Sequence, residues 1–314
     1  MKFLVTGGAG FIGSHIVESL VNNGDKVTVI DDLSSGQLRN LESVRGKIKF
    51  VKADIRDKGQ GTWDMQGIDY VLHQAALRSV PKSLGNPKLY NDVNINGTLN
   101  ILTAAKDAKV KRVVFASSSS IYGETKTLPN KEDFYPLLIS PYALTKLAGE
   151  YYCRIFSEIY GLETASLRYF NVFGPRQSLE NEYAVVIPKF ITCILKDEQP
   201  PVHGDGKQTR DFTYVENVVQ ANIKAATMPG VKCEVFNIAC GKAYTVLDIV
   251  KYTNKILKKD IKPKLDPVRP GDVKHTLADI SKAKKLIKFD PKVSFEEGLA
   301  KTVEYFSRLH VGQV

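Results

Sequence analysis

Near the start of the chain, Lys2-Phe-Leu-Val-Thr6 passes directly into Gly7-Gly-Ala-Gly10-Phe-Ile-Gly13. Apolar residues then recur at helical spacing over residues 11–20, and residues 26–30, Lys-Val-Thr-Val-Ile, form a second apolar run. A strand, a glycine-rich turn, a helix and another strand within about thirty residues predict a parallel β-α-β unit.

The same alternation continues along the first half of the chain. Apolar runs at 48–51, 70–72 and 113–116 alternate with helical patterns near 89–109 and 142–160, which predicts an α/β fold with a doubly wound parallel sheet. After about residue 170, Gly and Pro punctuate short helical patterns. We therefore expect a nucleotide-binding domain at 1–170 and a smaller mixed α/β lobe at 171–314, with a strand near 235–240 returning to the first sheet.

Composition excludes several classes of protein. The 314 residues are 43% hydrophobic and 25% charged, which is typical of a folded chain. The four cysteines form no C-x-x-C pair and have no His at ligand spacing, so we expect reduced thiols and neither a disulfide framework nor a metal site. No apolar run reaches the roughly 18 residues of a membrane span, and no signal-peptide pattern is present, so a cytoplasmic protein is expected.

The net charge of +10 raises the question of an anionic partner. Its lysines gather in the last third of the chain without the interleaved aromatic residues of a single-strand stacking surface. We interpret them as solvated surface and expect no nucleic-acid partner.

The glycines of the first turn indicate a phosphate-binding site. Glycine lets a backbone approach a pyrophosphate, and the helix that follows offers free N–H groups and a positive dipole end. Asp31 ends the second strand, where a carboxylate accepts hydrogen bonds from ribose hydroxyls and repels a 2′-phosphate. The combination favours NAD over NADP, whereas either feature alone is also typical of an ordinary turn or a surface Asp.

A tyrosine and a lysine lie one helical turn apart at Tyr142 and Lys146, just after Ser140-Pro141. A phenol has a pKa of about 10 and is a poor base at neutral pH, but a cation about 4 Å away lowers that pKa by up to about three units. Serines 117–120 follow an apolar run, at a strand's carboxyl end. Taken alone, the pair also fits an amphipathic helix and the serines a turn.

The helix near 142–160 carries one apolar stripe, which fits packing against the sheet or against another subunit. The stripe is formed by Leu144, Leu147, Ala148, Tyr151, Ile155 and Ile159.

Together these motifs resemble the extended short-chain dehydrogenase/reductase family with its Rossmann fold, and within it the UDP-hexose 4-epimerases. The resemblance spans nearly the whole chain. It rests on Gly7-x-x-Gly10-x-x-Gly13, Asp31-Asp32-Leu-Ser-Ser-Gly36, His73-Gln-Ala-Ala76, Ser117-Ser-Ser-Ser-Ile-Tyr-Gly123, Tyr142-x-x-x-Lys146, Arg168-Tyr-Phe-Asn171, Arg210-Asp-Phe212 and Arg269-Pro-Gly-Asp272.

The resemblance implies an isomerase in which NAD stays bound. Tyr142 would take the proton of the sugar 4-hydroxyl while hydride passes to the nicotinamide, and the 4-keto sugar would turn and take hydride back on its other face. Lys146 would lower the pKa of Tyr142 and hold the nicotinamide ribose, and Ser118, with Ser119 as the alternative, would bridge the 4-oxygen and the phenol.

The resemblance also implies contacts with both ligands. Cofactor contacts are expected at Gly7, Gly10, Phe11, Ile12, Gly13, Asp31, Asp32, Ser34, Ser35, Gly36, Asp54, Ile55, Gln74, Ala75, Ala76, Arg78, Asn94, Ser117, Tyr142, Lys146, Tyr169 and Phe170. Substrate contacts are expected at Val80, Ser83, Ser118, Ser119, Tyr142, Asn171, Val186, Val202, His203, Arg210, Arg269, Asp272 and Thr276. Two guanidiniums, Arg210 and Arg269, suit a diphosphate clamp, and surface ion pairs are the alternative.

The choice of sugar depends on a few positions. Dehydratases and decarboxylating relatives carry acidic residues just after the catalytic Ser or Thr, where this chain has Ser119 and Ser120, so epimerisation is favoured. Thr276 is small where epimerases restricted to UDP-glucose and UDP-galactose have an aromatic residue, which favours an N-acetyl sugar and the UDP-N-acetylglucosamine 4-epimerase branch. A UDP-glucuronate 4-epimerase and a non-catalytic NAD-binding protein are the alternatives, and the family implies a homodimer through a four-helix bundle.

Overall fold

A seven-stranded sheet forms the centre of the molecule, for which a computed structural model describes residues 1–57, 64–178, 186–268 and 273–311. The strands are β1 (Lys2–Thr6), β2 (Lys26–Asp31), β3 (Ile48–Lys52), β4 (Tyr70–His73), β5 (Arg112–Ser118), β6 (Glu163–Tyr169), β7 (Val172–Phe173), β8 (Pro201–His203), β9 (Thr209–Arg210), β10 (Thr213–Tyr214), β11 (Glu234–Ile238), β12 (Tyr244–Thr245) and β13 (Lys264–Asp266). The central sheet has the order β11-β6-β5-β4-β1-β2-β3, and every neighbouring pair in it is parallel.

Helices cover both faces of this sheet. They are α1 (Phe11–Asn22), α2 (Val80–Gly85), α3 (Pro87–Asn91), α4 (Gly97–Asp107), α5 (Pro141–Tyr160), α6 (Val186–Leu195), α7 (Val215–Thr227), α8 (Val246–Leu257), α9 (Ser281–Ile287) and α10 (Phe295–Val311). Apolar residues of α1, α7 and α9 fill one face, and those of α4 and α5 fill the other. A π-helix at Asp92–Asn96 joins α3 to α4.

The predicted α/β fold with a doubly wound parallel sheet is confirmed. The strand expected near 235–240 is β11, which pairs with β6, a strand that the periodicity did not predict. The helical pattern near 89–109 is divided between α3, the π-helix and α4. The division of the chain at residue 170 stays a prediction.

The apolar stripe of α5 does not face the sheet. Leu144, Tyr151, Ile155 and Ile159 are 53%, 56%, 44% and 71% exposed, respectively. The buried face instead carries small and polar residues, because the helix packs closely on β5: a Cβ at Gly149 would lie 2.3 Å from the ring of Phe115. Of the two uses predicted for the stripe, packing against the sheet is therefore wrong.

A second hydrophobic core lies in the later part of the chain. It combines buried residues of α6, α8 and α10 with Phe173, Phe212 and Phe295, and it includes Phe11 at the start of α1. Phe11 therefore packs the glycine turn against this second core. Among the described residues, no helix combines the length and apolarity needed to cross a membrane.

Candidate active site

The glycine turn joins β1 to α1 and is tightly packed. Gly7 has φ +66°, and a Cβ there would lie 2.7 Å from the backbone N of Ala75. A Cβ at Gly13 would lie 2.1 Å from the carbonyl oxygen of Gly7. These two glycines are therefore required by the turn itself, whereas we expected all three to serve ligand approach. Gly10 is the N-cap residue of α1, and no side chain of the described residues caps the helix there. A Cβ added at Gly10 would approach only Gly7 O, at 3.1 Å.

Asp31 ends β2 beneath this turn. Its Oδ2 accepts a hydrogen bond from Ala9 N at 2.9 Å, and its Oδ1 accepts one from Leu33 N at 2.8 Å. Burial raises the pKa of this carboxyl, while the two backbone N–H groups act in the opposite direction. The carboxylate still reaches the adjoining cleft, so it organises the turn and also faces the space beside it.

A cleft lies at the carboxyl ends of β1, β2, β4 and β5. Nineteen of the twenty-two residues predicted to contact a cofactor line it; Gly36, Asn94 and Phe170 do not. Seven residues that line the cleft were not predicted: Ile30, Ala53, Arg56, Leu77, Leu89, Val93 and Ala116. Most are apolar residues at strand ends or on helices, where sequence carries no chemical signal.

The three exceptions have internal roles. Asn94 is 2% exposed, and its side chain makes two hydrogen bonds to the backbone of Leu77. Its Oδ1 accepts from Leu77 N at 2.8 Å, and its Nδ2 donates to Leu77 O at 3.0 Å. Phe170 is fully buried against Tyr122, with ring centroids 5.9 Å apart. A Cβ at Gly36 would lie 2.6 Å from Asp31 Oδ1. The three residues support the walls of the cleft and do not line it, and their contacts with a cofactor stay predictions.

A buried hydrogen-bond chain connects the glycine turn to the opposite wall. The Thr6 hydroxyl lies 2.6 Å from His73 Nδ1, and His73 Nε2 lies 2.9 Å from the Thr98 hydroxyl, which donates to Asn94 O at 2.6 Å. Because Thr98 uses its only hydroxyl proton on Asn94 O, it can only accept from His73, so the pattern favours a neutral His73 protonated on Nε2. Asn94 Nδ2 continues the chain to the Thr145 hydroxyl at 3.0 Å, beside Lys146.

Tyr142 and Lys146 reach the cleft from the first turns of α5. Ser140 caps this helix by accepting from Ala143 N at 3.1 Å, and the buried Ser83 hydroxyl accepts from Tyr142 N at 3.2 Å. Lys146 Nζ donates to Ala116 O at 2.7 Å, at the end of β5, and lies 6.0 Å from the centre of the Tyr142 ring.

Ser118 connects the serine run to the phenol. Its side chain is hydrogen-bonded to Tyr142, and the Ser120 hydroxyl donates to Ser118 Oγ at 2.9 Å. Ser118 therefore can donate its own proton to the phenol oxygen. Ser119 has no side-chain hydrogen bond to another described residue, which separates the two serines that the sequence left as alternatives.

The electrostatics differ from our expectation for Tyr142. Burial raises its pKa, and the hydrogen bond from Ser118 and the charge of Arg78 oppose that shift. Burial also lowers the pKa of Lys146 to about 7, opposed by Cys153 and Glu150. The lowered phenol pKa that we predicted is therefore not found, because removal of the phenol from water has the largest effect on it.

Arg78 is the cation that faces the cleft beside Tyr142. Its guanidinium lines the cleft and forms no hydrogen bond or ion pair with another described residue. Burial lowers its pKa, and the neighbouring Tyr142 raises it. A free, rigidly forked cation in this position suits an anionic ligand.

The residues predicted to contact substrate divide into two groups. Thr276 donates to Asn171 Oδ1 at 3.4 Å and its N donates to Thr209 O at 3.1 Å, so Asn171, Arg210 and Thr276 come together from three segments. Arg210 donates to Thr209 O and Lys274 O. Val80, Val186 and His203 are partly exposed.

Two residues predicted to contact substrate have fully buried side chains. Ser83 is fully buried, accepts from Tyr142 N and donates to Val80 O at 2.6 Å, and Val202 is fully buried in the core of the smaller lobe. Neither side chain is open to the cleft, and the substrate contacts of both residues stay predictions. Arg269 and Asp272 lie outside the described residues.

Comparison with known proteins places the chain in a family. A family model described as GDP-mannose 4,6-dehydratase matches residues 4–302. The chain belongs to this family of extended short-chain dehydrogenase/reductases. A curated relative, a putative UDP-glucose 4-epimerase of Methanocaldococcus jannaschii, is 40% identical over 96% of this chain and 97% of its own.

Two solved structures of extended dehydrogenase/reductases superpose on it over almost their whole length. A UDP-N-acetylglucosamine 4-epimerase from Methanobrevibacter ruminantium M1, in complex with UDP-N-acetylmuramic acid, has a TM-score of 0.93 and 44% identity, with 100% of this chain and 99% of that chain covered. A UDP-glucuronic acid 4-epimerase from Bacillus cereus, in complex with UDP-glucuronic acid and NAD, has a TM-score of 0.91 and 34% identity, with 98% and 100% covered.

Proposed function

We propose that this protein is an NAD-dependent 4-epimerase that interconverts UDP-N-acetylglucosamine and UDP-N-acetylgalactosamine and also accepts UDP-glucose and UDP-galactose. The observation that carries the proposal is that Tyr142 and Lys146 line a cleft that begins at the glycine turn, with Ser118 hydrogen-bonded to Tyr142. The names of the Methanobrevibacter and Methanocaldococcus relatives support the same reaction class.

The cleft fits NAD by the chemistry of its lining. The start of α1 is free to receive a pyrophosphate, the Asp31 carboxylate suits ribose hydroxyls, and Arg78 supplies an unpaired positive charge. NAD, when bound there, supplies a reversible hydride acceptor. The B. cereus epimerase is described with NAD bound, which supports the assignment.

Side chains of the protein accept and return the proton that moves in the reaction. Tyr142 accepts the proton of the sugar 4-hydroxyl and returns it when the opposite epimer forms. Ser118 donates a hydrogen bond to the phenol oxygen and stabilises its negative charge. The positive charge of Arg78 acts in the same direction, against the effect of burial.

The smaller lobe holds the nucleotide end of the substrate in this proposal. Asn171, Arg210 and Thr276 lie together, and Arg210 provides charge-assisted hydrogen bonds for a diphosphate. Arg269 and Asp272 are proposed to join them, at the diphosphate and the uridine ribose. Tight binding at this remote end lets the keto sugar turn without escaping.

Thr276 is the position on which the N-acetyl preference rests. Its side chain is small and bonded to Asn171, so it leaves space that a bulky aromatic residue would fill. The second candidate is UDP-glucuronate 4-epimerase activity, which the B. cereus structure favours. Dehydration is disfavoured because Ser119 and Ser120 supply no carboxyl acid beside Ser118.

One experiment tests the reaction, the substrate and the retained cofactor together. The purified protein is incubated without added cofactor with UDP-N-acetylglucosamine, UDP-glucose or UDP-glucuronate, and the products are separated by chromatography. We expect UDP-N-acetylgalactosamine without accumulation of reduced nicotinamide. Conversion of UDP-glucuronate alone would favour the second candidate, and net reduction of NAD would contradict both.

A matched pair of variants tests whether the protein is a non-catalytic NAD-binding protein. Tyr142→Phe removes the phenol from the cleft, and Tyr135→Phe removes one that is 84% exposed. We expect only Tyr142→Phe to lose activity, by about 1000-fold, while both proteins retain NAD. Full activity of Tyr142→Phe would leave a non-catalytic NAD-binding protein as the better explanation.

We further propose that the protein is a homodimer. The exposed stripe of α5 lies beside α4, where Lys106 Nζ lies 5.4 Å from the ring centre of Tyr160. Exposed isoleucines and tyrosines in one row suit a contact with the same two helices of a second copy.

A further inference from the structure

A buried ion pair lies directly behind the proposed catalytic residues. Glu150 on α5 accepts from Arg168 Nε at 2.9 Å and from Arg168 Nη2 at 2.8 Å. Their side chains are 6% and 5% exposed. The Ser117 hydroxyl donates to Glu150 Oε1 at 2.5 Å. The carboxylate therefore joins α5 to the ends of β5 and β6 in one buried cluster.

We propose that Glu150 is a positioning residue, whose carboxylate holds the end of β5 against α5 and so fixes Ser118 and Lys146 relative to Tyr142. Ser117 immediately precedes Ser118, and Glu150 lies one helical turn after Lys146. Lys146 itself donates to Ala116 O. Lys146 and Glu150 are therefore hydrogen-bonded to consecutive residues at the end of β5.

Arg168 in turn is held from the other side, which makes the cluster rigid. Its Nη1 donates to Glu132 O at 3.2 Å, and its guanidinium lies 4.9 Å from the ring centre of Tyr122. The Tyr122 hydroxyl donates to Asn237 Oδ1 at 2.6 Å, on β11. A shift of Glu150 would therefore disturb β5 and β6 directly, and the end of β5, which carries Ser118, is the one nearest the reaction.

The pair also sets the charge around Lys146. The ionisable groups near its ammonium are Tyr142, Glu150 and Cys153 on α5, His73 on β4 and, behind Glu150, Arg168 on β6. Glu150 raises the pKa of Lys146 against burial. Arg168 balances the charge of Glu150, so removing one partner or the other changes the field at Lys146 in opposite directions.

Two single variants test this prediction. Glu150→Gln keeps an acceptor for Ser117 but leaves Arg168 uncompensated, and Arg168→Met leaves the carboxylate uncompensated. We expect kcat to fall about ten-fold in each, with the KM for the UDP-sugar and the retained NAD unchanged. The alkaline limb of the pH profile of kcat is expected to follow the pKa of Lys146. It should therefore move about one unit lower in Glu150→Gln and about one unit higher in Arg168→Met.

Further variants keep the test decisive if a single variant folds poorly. Glu150→Gln combined with Arg168→Met removes both charges and is expected to restore the wild-type pH limb. Ser117→Ala moves no charge and is expected to lower kcat without shifting the limb. Glu163→Gln breaks the Arg112–Glu163 pair at the opposite ends of β5 and β6 and serves as the matched control, with no shift.

This inference rests on the proposed epimerase function, but the two fail differently. An inactive wild-type protein would overturn the proposed function. An active wild type whose two single variants shift the limb in the same direction, or lose only stability, would overturn the role of Glu150. A Ser117→Ala protein with unchanged kcat would also overturn the role of Glu150.

Discussion

Single hydroxyl groups distinguish the serines at the end of β5. Ser118 lies between the Ser120 hydroxyl, which donates to it, and the Tyr142 phenol. Ser119 makes no comparable side-chain hydrogen bond within the described part of the chain. The arrangement gives Ser118 alone a direct route to the oxygen that changes charge in the proposed reaction.

Alanine substitution at these two serines should therefore give unequal results. We expect Ser118→Ala to lower kcat by about 100-fold, because it removes a donor aimed at a developing negative charge. Ser119→Ala should stay within a few-fold of wild type. Initial rates at saturating UDP-sugar measure both, and an equal or larger loss in Ser119→Ala would contradict the assignment to Ser118.

Sequence could predict the polar lining of the cleft better than its apolar lining. Asp31 and Lys146 were identifiable because their types and spacing have a chemical reason. Ile30 and Val93 also line the cleft, but an apolar residue at a strand end or on a helix has the same pattern whether it faces a ligand or the core. The expected effect of Lys146 on Tyr142 failed because burial depends on packing that the sequence does not display.

Two hydroxyl groups determine where helix α5 begins. Ser140 accepts from Ala143 N, and Ser83, from α2, accepts from Tyr142 N. The second contact holds the backbone of the proposed catalytic tyrosine directly. This contact gives Ser83 a supporting role at the site, beside the substrate contact that stays a prediction.

Substitution of Ser83 should affect stability and rate together. Ser83→Ala leaves the Tyr142 N–H without this partner in a buried position, so we expect a loss of about 1–3 kcal/mol in the free energy of unfolding and a lower kcat. Ser79→Ala removes the side-chain cap of α2 and is the matched control, expected to lower stability without lowering kcat. Thermal unfolding and initial rates measure the two effects. An unchanged kcat in Ser83→Ala would limit its role to folding.

Helical periodicity located α5 but not the face that meets the sheet. The stripe through Tyr151 and Ile155 is the most apolar part of the helix, and it is exposed. The buried face carries Gly149 and Glu150, because close approach to Phe115 and the ion pair with Arg168 occupy it. A rule that sends the most apolar face inward fails where a helix carries a polar site and a further exposed contact surface.

The molecule as a whole buries neutral histidines, which should couple its stability to pH. Burial lowers the pKa of His73 to about 3 and that of His15 to about 4. In the unfolded chain both return to about 6.5. The unfolded chain therefore binds more protons below pH 6.5, and the free energy of unfolding falls as pH falls through that value.

The contribution of His73 can be isolated by substitution. We expect His73→Asn to reduce the slope of unfolding free energy against pH between about 6 and 4 by up to about 1.4 kcal/mol per pH unit. His310→Asn, in the last turn of α10, serves as the control for the loss of a histidine. Chemical unfolding at several pH values gives the slopes, and parallel curves for His73→Asn and wild type would show that His73 does not carry this linkage.

The exposed row on α5 makes a prediction for the assembly. If two copies bury this row against each other, light scattering should give twice the chain mass of 34.9 kDa. Replacing Ile155 and Ile159 together by Glu places like charges at the centre of that contact and should give the mass of one chain. Leu286→Glu, at a 39% exposed position on α9, is the control and should remain dimeric.

A wild-type protein with the mass of one chain would contradict the dimer. A dimeric Ile155→Glu, Ile159→Glu protein would show that the contact does not involve α5. Because the row continues the helix that holds Tyr142 and Lys146, loss of the dimer should also reduce activity more than Leu286→Glu does.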